Sequence, residues 1–252
     1  NDQHADKPIK NVYWGYRGKP AGVPNGHPGD MFIQYKDKKM LGVSLKAGGK
    51  KTKEPQLNTY HVPVFVNSRG ASFNDQKGLD SLKKQVYKVY AKIKGMPDQS
   101  VFDGGSSGRG KEKNKTIKLI NKLSKKKSDE LYDEYLEVVR KGLIKRFNKD
   151  KKESLKYIKD AILREAPDVP TIVIKAIGSK YEEVTDRDAL GVFLPQVEFV
   201  KARKSKSSKQ NFLIDLKSGD EMLSLNMTVR SSSGGKLKQF SLKVTYNGLS
   251  VK

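Results

Sequence analysis

Cysteine is absent from this chain of 252 residues, and histidine and tryptophan are scarce, with three copies and one copy. The lack of cysteine excludes disulfide scaffolds, thiolate nucleophiles and thiolate-bound zinc, and it is typical of a reducing compartment such as the cytoplasm. Three histidines are too few for a histidine-rich metal site, so we expect oxygen ligands for any metal. Long apolar runs are also missing, since no window approaches the roughly 18 residues that a membrane-spanning helix requires.

Acidic residues are also scarce relative to basic ones. The chain carries 51 Lys and Arg against 28 Asp and Glu, which gives a formal net charge of +23 at pH 7. Self-repulsion of this size disfavours a compact state unless a polyanion relieves it. Nucleic acid is therefore the first expected partner, and an acidic membrane surface or an acidic protein comes second. Because the chain begins with Asn1 rather than Met, we also expect further residues upstream.

Composition and periodicity divide the chain into three segments. Residues 1–78 are expected to form a β-hairpin core segment with a flanking helix, and residues 79–167 a helical block with basic faces. Residues 168–252 alternate as strands do, and they are expected to complete the core or to contact nucleic acid. Together the segments predict an α+β fold, with a mixed β-sheet core, flanking helices, a helical insertion and a C-terminal antiparallel β-meander.

Local sequence patterns predict individual strands and helices of this fold. Two apolar runs, Met31–Tyr35 and Met40–Leu45, flank a polar turn and predict a β-hairpin. After residue 79 an apolar stripe recurs with the helical period, through Leu82, Val86, Val89, Tyr90 and Ile93. A later helix is expected to begin at the N-cap Ser128.

The most informative segment runs from Pro28 to Lys46. It places Asp30 at the entry of one hairpin strand and Ser44, Leu45 and Lys46 at the exit of the other. Antiparallel pairing brings these two ends together, so a carboxylate and an ammonium converge beside the strand termini. Metal-assisted phosphodiester hydrolysis needs this pairing, because a carboxylate can hold Mg²⁺ while a lysine orients the attacking water or neutralises the scissile phosphate.

Asp30 followed by Ser44-x-Lys46 resembles the core of the PD-(D/E)XK nuclease superfamily, and in particular restriction- or phage-type endonucleases. The resemblance covers residues 28 to about 66. It implies that Asp30 and the triplet lie on adjacent strands of a mixed sheet flanked by helices. It also implies that Asp30 and the carbonyl of Leu45 hold Mg²⁺, or Mn²⁺ in its place, and that Lys46 orients the nucleophilic water.

The sequence departs from the family pattern at position 44, where Ser44 stands in place of the second carboxylate. Some restriction endonucleases of this superfamily carry Ser-x-Lys and supply the acid from the following helix. The resemblance therefore implies Glu54, near a predicted helix start, as the third metal ligand and as a catalytic residue beside Asp30, Ser44 and Lys46. If Glu54 points away, a residue upstream of Asn1 supplies the acid or the site is weakened.

Further residues are expected to contact nucleic acid. Just after the hairpin stand Lys50, Lys51, Lys53, Gln56 and Asn58. Lys126 and Lys204 belong to basic runs that can follow a phosphate backbone without reading sequence. Arg230 stands before a Ser- and Gly-rich loop, where it could bind a phosphate or hydrogen-bond to a guanine edge. A plain hairpin turn without a binding role explains the same residues equally well.

The aromatic and histidine candidates are weaker. Tyr13, Trp14 and Tyr16 are expected to pack in the core, with stacking on bases as the alternative. His27 precedes Asp30 by three residues, and we expect it to be structural or exposed rather than catalytic.

Three interpretations of the function remain. The first is a Mg²⁺-dependent endonuclease whose expected substrate is double-stranded DNA, with no membrane partner and with a homodimer left open. The second is a non-catalytic DNA-binding protein of packaging, replication or anti-defence type, which the missing carboxylate at position 44 favours. The third and weaker interpretation is a basic protein that binds either RNA or an acidic protein. No GxxxxGK[ST], GxSxG or HExxH motif occurs, so P-loop, serine hydrolase and zincin chemistries have no support.

Overall fold

A computed structural model of the chain describes residues 7–15, 17–25, 27, 29–48, 62–66, 72–100, 116–159, 169–183, 196–230 and 243–251. Contacts separate the chain into two units: unit 1 is Asn1–Thr59 with Ile158–Gln196, and unit 2 is Tyr60–Tyr157 with Val197–Lys252. The three sequence segments divide the chain at other points, because they follow composition whereas the units follow contacts. None of the described helices has the length and apolar character of a membrane span.

The regular elements confirm the predicted α+β class. The strands are β1 (Ile9–Trp14), β2 (Met31–Tyr35), β3 (Met40–Gly48), β4 (Val62–Pro63), β5 (Thr171–Ile177), β6 (Lys180–Glu183), β7 (Glu198–Lys204), β8 (Asn211–Ser218), β9 (Glu221–Arg230) and β10 (Lys243–Val251). The helices are α1 (Gln76–Tyr90), α2 (Lys125–Lys149) and α3 (Lys151–Tyr157). Helical backbone also covers 116–121.

Unit 1 is built on a mixed sheet with the strand order β1-β2-β3-β5-β6. The first three strands pair antiparallel, so the predicted hairpin of β2 and β3 is confirmed and β1 forms the edge. β3 then pairs in parallel with β5, which comes much later in the chain. β3 is therefore an interior strand as far as Val43, and its exit, residues 44–48, runs past β2 and is paired with β5 alone.

Alternation along β1 decides which aromatic residues are buried. Tyr13 is half-buried and packs against a core cluster of Val23, Phe32 and Val169, as predicted. The prediction for Trp14 was wrong, because its side chain is 63% exposed. Trp14 follows Tyr13 and so projects from the opposite face of an edge strand, where the neighbouring Val12 is 55% exposed. Tyr16 lies outside the described residues.

Unit 2 combines the helices with an antiparallel sheet of order β4-β10-β9-β8-β7. The predicted C-terminal meander is confirmed by the pairing of β8 with β9 and of β9 with β10. The predicted apolar stripe of α1 is buried. On α2 a buried stripe recurs every fourth residue, as a helix that packs on one face requires, through Leu131, Tyr135, Val139, Leu143 and Phe147.

The predicted start of α2 was wrong by one turn. Ser124 is the N-cap, and its side chain accepts a hydrogen bond from the Lys127 backbone N–H at 3.3 Å. Ser128 lies inside the helix. The first turn is a run of lysines without an apolar residue, so the apolar period could not mark where the helix begins.

Candidate functional site

The β2–β3 hairpin brings Asp30 beside the exit of β3, as the sequence pattern predicts. Met31 pairs with Val43, and the Asp30 backbone N–H donates to the Val43 carbonyl at 2.8 Å. Asp30 is thereby fixed just before the first residue of β2, at the point where β3 continues past β2. This placement sets its carboxylate next to residues 44 and 45.

The Asp30 carboxylate is bonded across the hairpin. Its Oδ2 accepts a hydrogen bond from the Leu45 backbone N–H at 2.7 Å and a longer one from the Ser44 hydroxyl at 3.4 Å. A hydrogen bond from a backbone N–H to an ionised carboxylate is about twice as strong as a neutral one. Ser44 is buried, whereas Leu45 is 41% exposed and Asp30 is half-buried. A charged group is therefore held rigidly at a strand edge that solvent can reach.

For Lys46 the structure describes the backbone. It pairs in parallel with that of Lys175 on β5, just as Ser44 pairs with Val173. Residues 44 and 46 share one face of the sheet, because strand residues alternate with a period of two. Lys46 is thus placed two positions beyond Ser44 and one beyond Leu45, the two residues that bond to the Asp30 carboxylate.

Lys19 is a site residue that the sequence interpretation missed. Its ammonium donates to the carbonyls of Gly29 at 2.6 Å and Gly15 at 3.0 Å, and it lies 5.3 Å from the centre of the Phe32 ring. Burial lowers the pKa of the Lys19 ammonium below the usual value for lysine, and the charge of Asp30 opposes that shift. Lys19 stands in irregular chain between a glycine and a proline, where no periodicity could have singled it out.

His27 is buried and both of its ring nitrogens are hydrogen-bonded, so it has the structural role that was one of the two expected for it. Its Nδ1 accepts a hydrogen bond from the Gly29 N–H at 3.0 Å, so Nε2 carries the proton and donates to the Val169 carbonyl at 2.8 Å. The ring also leans on Gly42, where an added Cβ would lie 2.4 Å from Cε1. The imidazole therefore ties the loop before Asp30 to the start of β5.

Several predicted site residues lie outside the described part of the chain. They are Glu54, Lys50, Lys51, Lys53, Gln56 and Asn58, and their roles stay predictions. Within the described ranges no three Asp, Glu or His side chains converge so that they could hold a metal ion. Asp30 would therefore supply one carboxylate, and further oxygen ligands would have to come from backbone, water or Glu54.

The three remaining nucleic-acid candidates belong to unit 2. Lys126 is exposed in the first turn of α2. Lys204, on β7, forms an ion pair with Glu137 of α2. Arg230 is the last residue of β9, and its backbone pairs with that of Lys243. Lys126 thus has an exposed charge, whereas the ammonium of Lys204 is paired with a carboxylate that Arg140 and Lys141 also contact.

Residues 201–209, with the sequence KARKSKSSK, form a basic run, and two acidic residues of α2 form ion pairs with its lysines. Hydrogen bonding to the Lys204 ammonium lowers the pKa of the Glu137 carboxyl to about 2, with Arg140 and Lys141 acting in the same direction against partial burial. Lys209 forms an ion pair with Asp133 of α2. This run therefore fastens β7 and the following turn to α2.

Comparisons with protein-family models, with curated proteins and with solved structures give no match for this chain.

Proposed function

We propose that this protein is a metal-dependent DNA endonuclease that hydrolyses phosphodiester bonds at the Asp30 strand edge. The observation that carries the proposal is the hydrogen bond of 2.7 Å between the Leu45 N–H and the Asp30 carboxylate. It fixes a charged oxygen donor beside the Ser44-x-Lys46 triplet, on adjacent strands of a mixed sheet. The resemblance to PD-(D/E)XK nucleases implies the same arrangement, and a net charge of +23 suits a polyanionic substrate.

The residues present fit a hard divalent cation. Mg²⁺ prefers oxygen ligands, keeps several waters and is commonly bound through one or two carboxylates. Asp30 supplies one such oxygen. The N–H and C=O of a residue in a regular strand face the same neighbour, so the Leu45 carbonyl is expected on the side of Asp30. Glu54 is the candidate for a second carboxylate, and the Ser44 hydroxyl supplies no negative charge.

Different residues of the chain would have different roles in the hydrolysis. The bound cation would lower the pKa of a water and offset charge that develops on the phosphate. Asp30, held by the Leu45 N–H, would anchor that cation at a fixed position. Lys46 would orient the attacking water, and Lys19 would add positive charge on the Asp30 side.

The test is cleavage of long duplex DNA of mixed sequence, which offers many potential targets. Wild-type protein should cut in Mg²⁺ or Mn²⁺ and should stop when a chelator is added. Asp30→Asn keeps a hydrogen-bond acceptor but removes the charge, so we expect a rate loss of at least about 100-fold, since a bound metal is worth several kcal/mol to the reaction. Lys46→Gln and Glu54→Gln should also be impaired.

Asp37→Asn is the matched control, because Asp37 is a carboxylate in the turn at the other end of the same hairpin. It should cut like wild type. Cleavage that survives both Asp30→Asn and Lys46→Gln would refute the assignment.

A non-catalytic DNA-binding protein is the second candidate. It is favoured by the buried Ser44 hydroxyl, which occupies the position of the missing carboxylate and points its hydrogen bond at Asp30. This candidate predicts tight, salt-dependent binding of duplex DNA with no cleavage in either metal. The same samples used for the cleavage assay distinguish the two.

A further inference from the structure

Three exposed apolar side chains form a stripe along β1, the edge strand of the sheet in unit 1. Ile9 and Val12 are each 55% exposed, and Trp14 is 63% exposed. These are half of the large apolar side chains that are exposed in the described part of the chain. Single exposed apolar residues are ordinary, whereas a contiguous group marks a surface that meets a partner. The stripe contains no residue of the proposed nuclease site.

A β-bulge in β1 places all three side chains on one face of the sheet. The register of β1 against β2 shifts between Ile9 and Asn11, which gives β1 one extra residue there. Without that residue Ile9 and Val12 would lie on opposite faces, because side chains alternate along a strand. The three residues instead pair with alternate residues of β2, which share one face: Ile9 with Tyr35, Val12 with Ile33, and Trp14 with Met31. The stripe is therefore continuous, and it is roughly 15 Å long at about 3.3 Å per residue.

The opposite face of β1 is anchored, so Trp14 cannot turn inwards. Tyr13 packs against the core cluster of unit 1, and its hydroxyl donates to the Gln34 Oε1 at 3.0 Å. The side-chain amide of Asn11 donates to the same oxygen at 2.9 Å. A slip of one residue would bury Trp14, but it would expose Tyr13 and break these hydrogen bonds. The exposure of Trp14 is therefore a property of the folded strand.

Basic residues flank the stripe. The ammonium of Lys7 lies 5.9 Å from the centre of the Tyr35 ring, at one end of the stripe. Lys10 is exposed within β1, and Arg17 is exposed shortly after it. Residues 7–48 contain eight Lys or Arg and two Asp or Glu. A second copy of this chain on the stripe would bring like charges together, whereas a polyanion would be attracted to it.

We propose that the stripe binds unpaired bases of a nucleic-acid strand, with one base stacked on the indole of Trp14. Bases of every kind stack on aromatic side chains, and neighbouring cations hold the phosphates. The bases have to be unpaired, because the faces of a base in a duplex are covered by its neighbours in the stack. Ile9 and Val12 would extend the apolar surface along the strand. The inference rests on nucleic acid as the partner, which both candidate functions share, and not on cleavage.

Trp14 is the only tryptophan of the chain, so its fluorescence reports directly on this surface. The full chain is titrated with a short single-stranded oligothymidylate in the presence of a chelator, which prevents metal-dependent cleavage. Two further probes are the same strand in a duplex and an abasic strand of equal length and charge. We expect the single strand to quench the Trp14 emission, and the other two probes to bind without comparable quenching.

The anisotropy of a labelled oligothymidylate then measures how much the indole contributes to binding. Trp14→Ala should weaken binding by about 5- to 140-fold, because a base–aromatic stack contributes about 1–3 kcal/mol. Trp14→Phe should recover part of the loss, since a phenyl ring also stacks. Tyr181→Ala is the matched control, because Tyr181 is an exposed aromatic residue on β6, at the opposite edge of the sheet, and it should bind like wild type. The melting temperature of each variant shows that it is folded.

Three results would overturn the inference. The first is binding of the single strand without a change in the Trp14 emission, and the second is an unchanged affinity in Trp14→Ala. The third is a blue shift of the emission as the protein concentration alone rises, because a second copy would then cover the stripe. None of these results depends on whether the protein cleaves DNA, so a failure of the nuclease proposal would not be mistaken for a failure here.

Discussion

Replacing His27 with alanine should destabilise unit 1 by about 3 kcal/mol. The substitution strands two backbone groups, the Gly29 N–H and the Val169 carbonyl, which now bond to the imidazole at 3.0 and 2.8 Å. A buried polar group without a partner costs about 1–3 kcal/mol, and the ring's packing against Phe32 and Gly42 is lost as well. For a unit of this size each kcal/mol moves the melting temperature by about 4–8 °C, so the midpoint should fall by more than about 10 °C.

The fluorescence of Trp14 can follow this transition, because it is the only tryptophan of the chain and lies in unit 1. Hydrogen exchange of β5 should rise in the same variant. His27→Gln should recover part of the loss, since an amide offers both a donor and an acceptor. Tyr181→Ala is the matched control, a side chain 78% exposed on the same sheet. A midpoint for His27→Ala within about 2 °C of wild type would show that this imidazole does not hold the loop.

Three further predictions concern charge and packing. Arg146→Met removes the nearer of the two cations, Arg146 and Lys149, that pair with the Asp75 carboxylate, so urea unfolding should show unit 2 destabilised by about 3 kcal/mol, and less in the double variant with Asp75→Asn than the two single effects added together. Glu137→Gln should cost up to about 1 kcal/mol near neutral pH, the range of exposed ion pairs. Because the pKa of Glu137 falls from 4.5 to about 2 on folding, that cost should shrink as pH drops from about 4.5 towards 2, and a pH-independent difference would contradict the ion pair with Lys204. Gly42→Ala should lower the melting temperature of unit 1, since the buried imidazole stands where the new methyl would go, and an unchanged value would show that the ring can move aside.

Local pattern was enough to predict the hairpin, the stripe of α1 and the meander. Each of these depends on neighbours in the sequence: the turn after Tyr35 joins adjacent strands, and Leu82 and Val86 share one helical face. The parallel pairing of β3 with β5 had no such signal, because the two strands are separated by the whole helical segment. The N-cap position of α2 was also not predicted. Ser124 and Ser128 are both good N-cap residues, and only tertiary packing decides between them.

In the candidate site too, contacts between neighbouring strands were predictable and contacts made by distant segments were not. The position of Asp30 beside Ser44 and Leu45 follows from hairpin geometry, and the structure agrees. Lys19 lies in a loop that no rule of spacing describes, and its ammonium donates to the carbonyl of Gly29, the residue before Asp30. The ion pair between Lys204 and Glu137 joins distant segments, so a run of basic residues could not reveal how much of its charge is already balanced.

The most direct test of the central claim is a change of metal preference in Asp30→Cys. The chain contains no cysteine, so the variant has a single thiol, placed where the proposed metal ligand was. Thiolates favour softer metals than Mg²⁺. The account predicts that Asp30→Cys loses DNA cleavage in Mg²⁺ and regains part of it in Cd²⁺, a softer cation. A variant that cleaves in Mg²⁺ as fast as wild type would contradict the claim that Asp30 holds the catalytic metal.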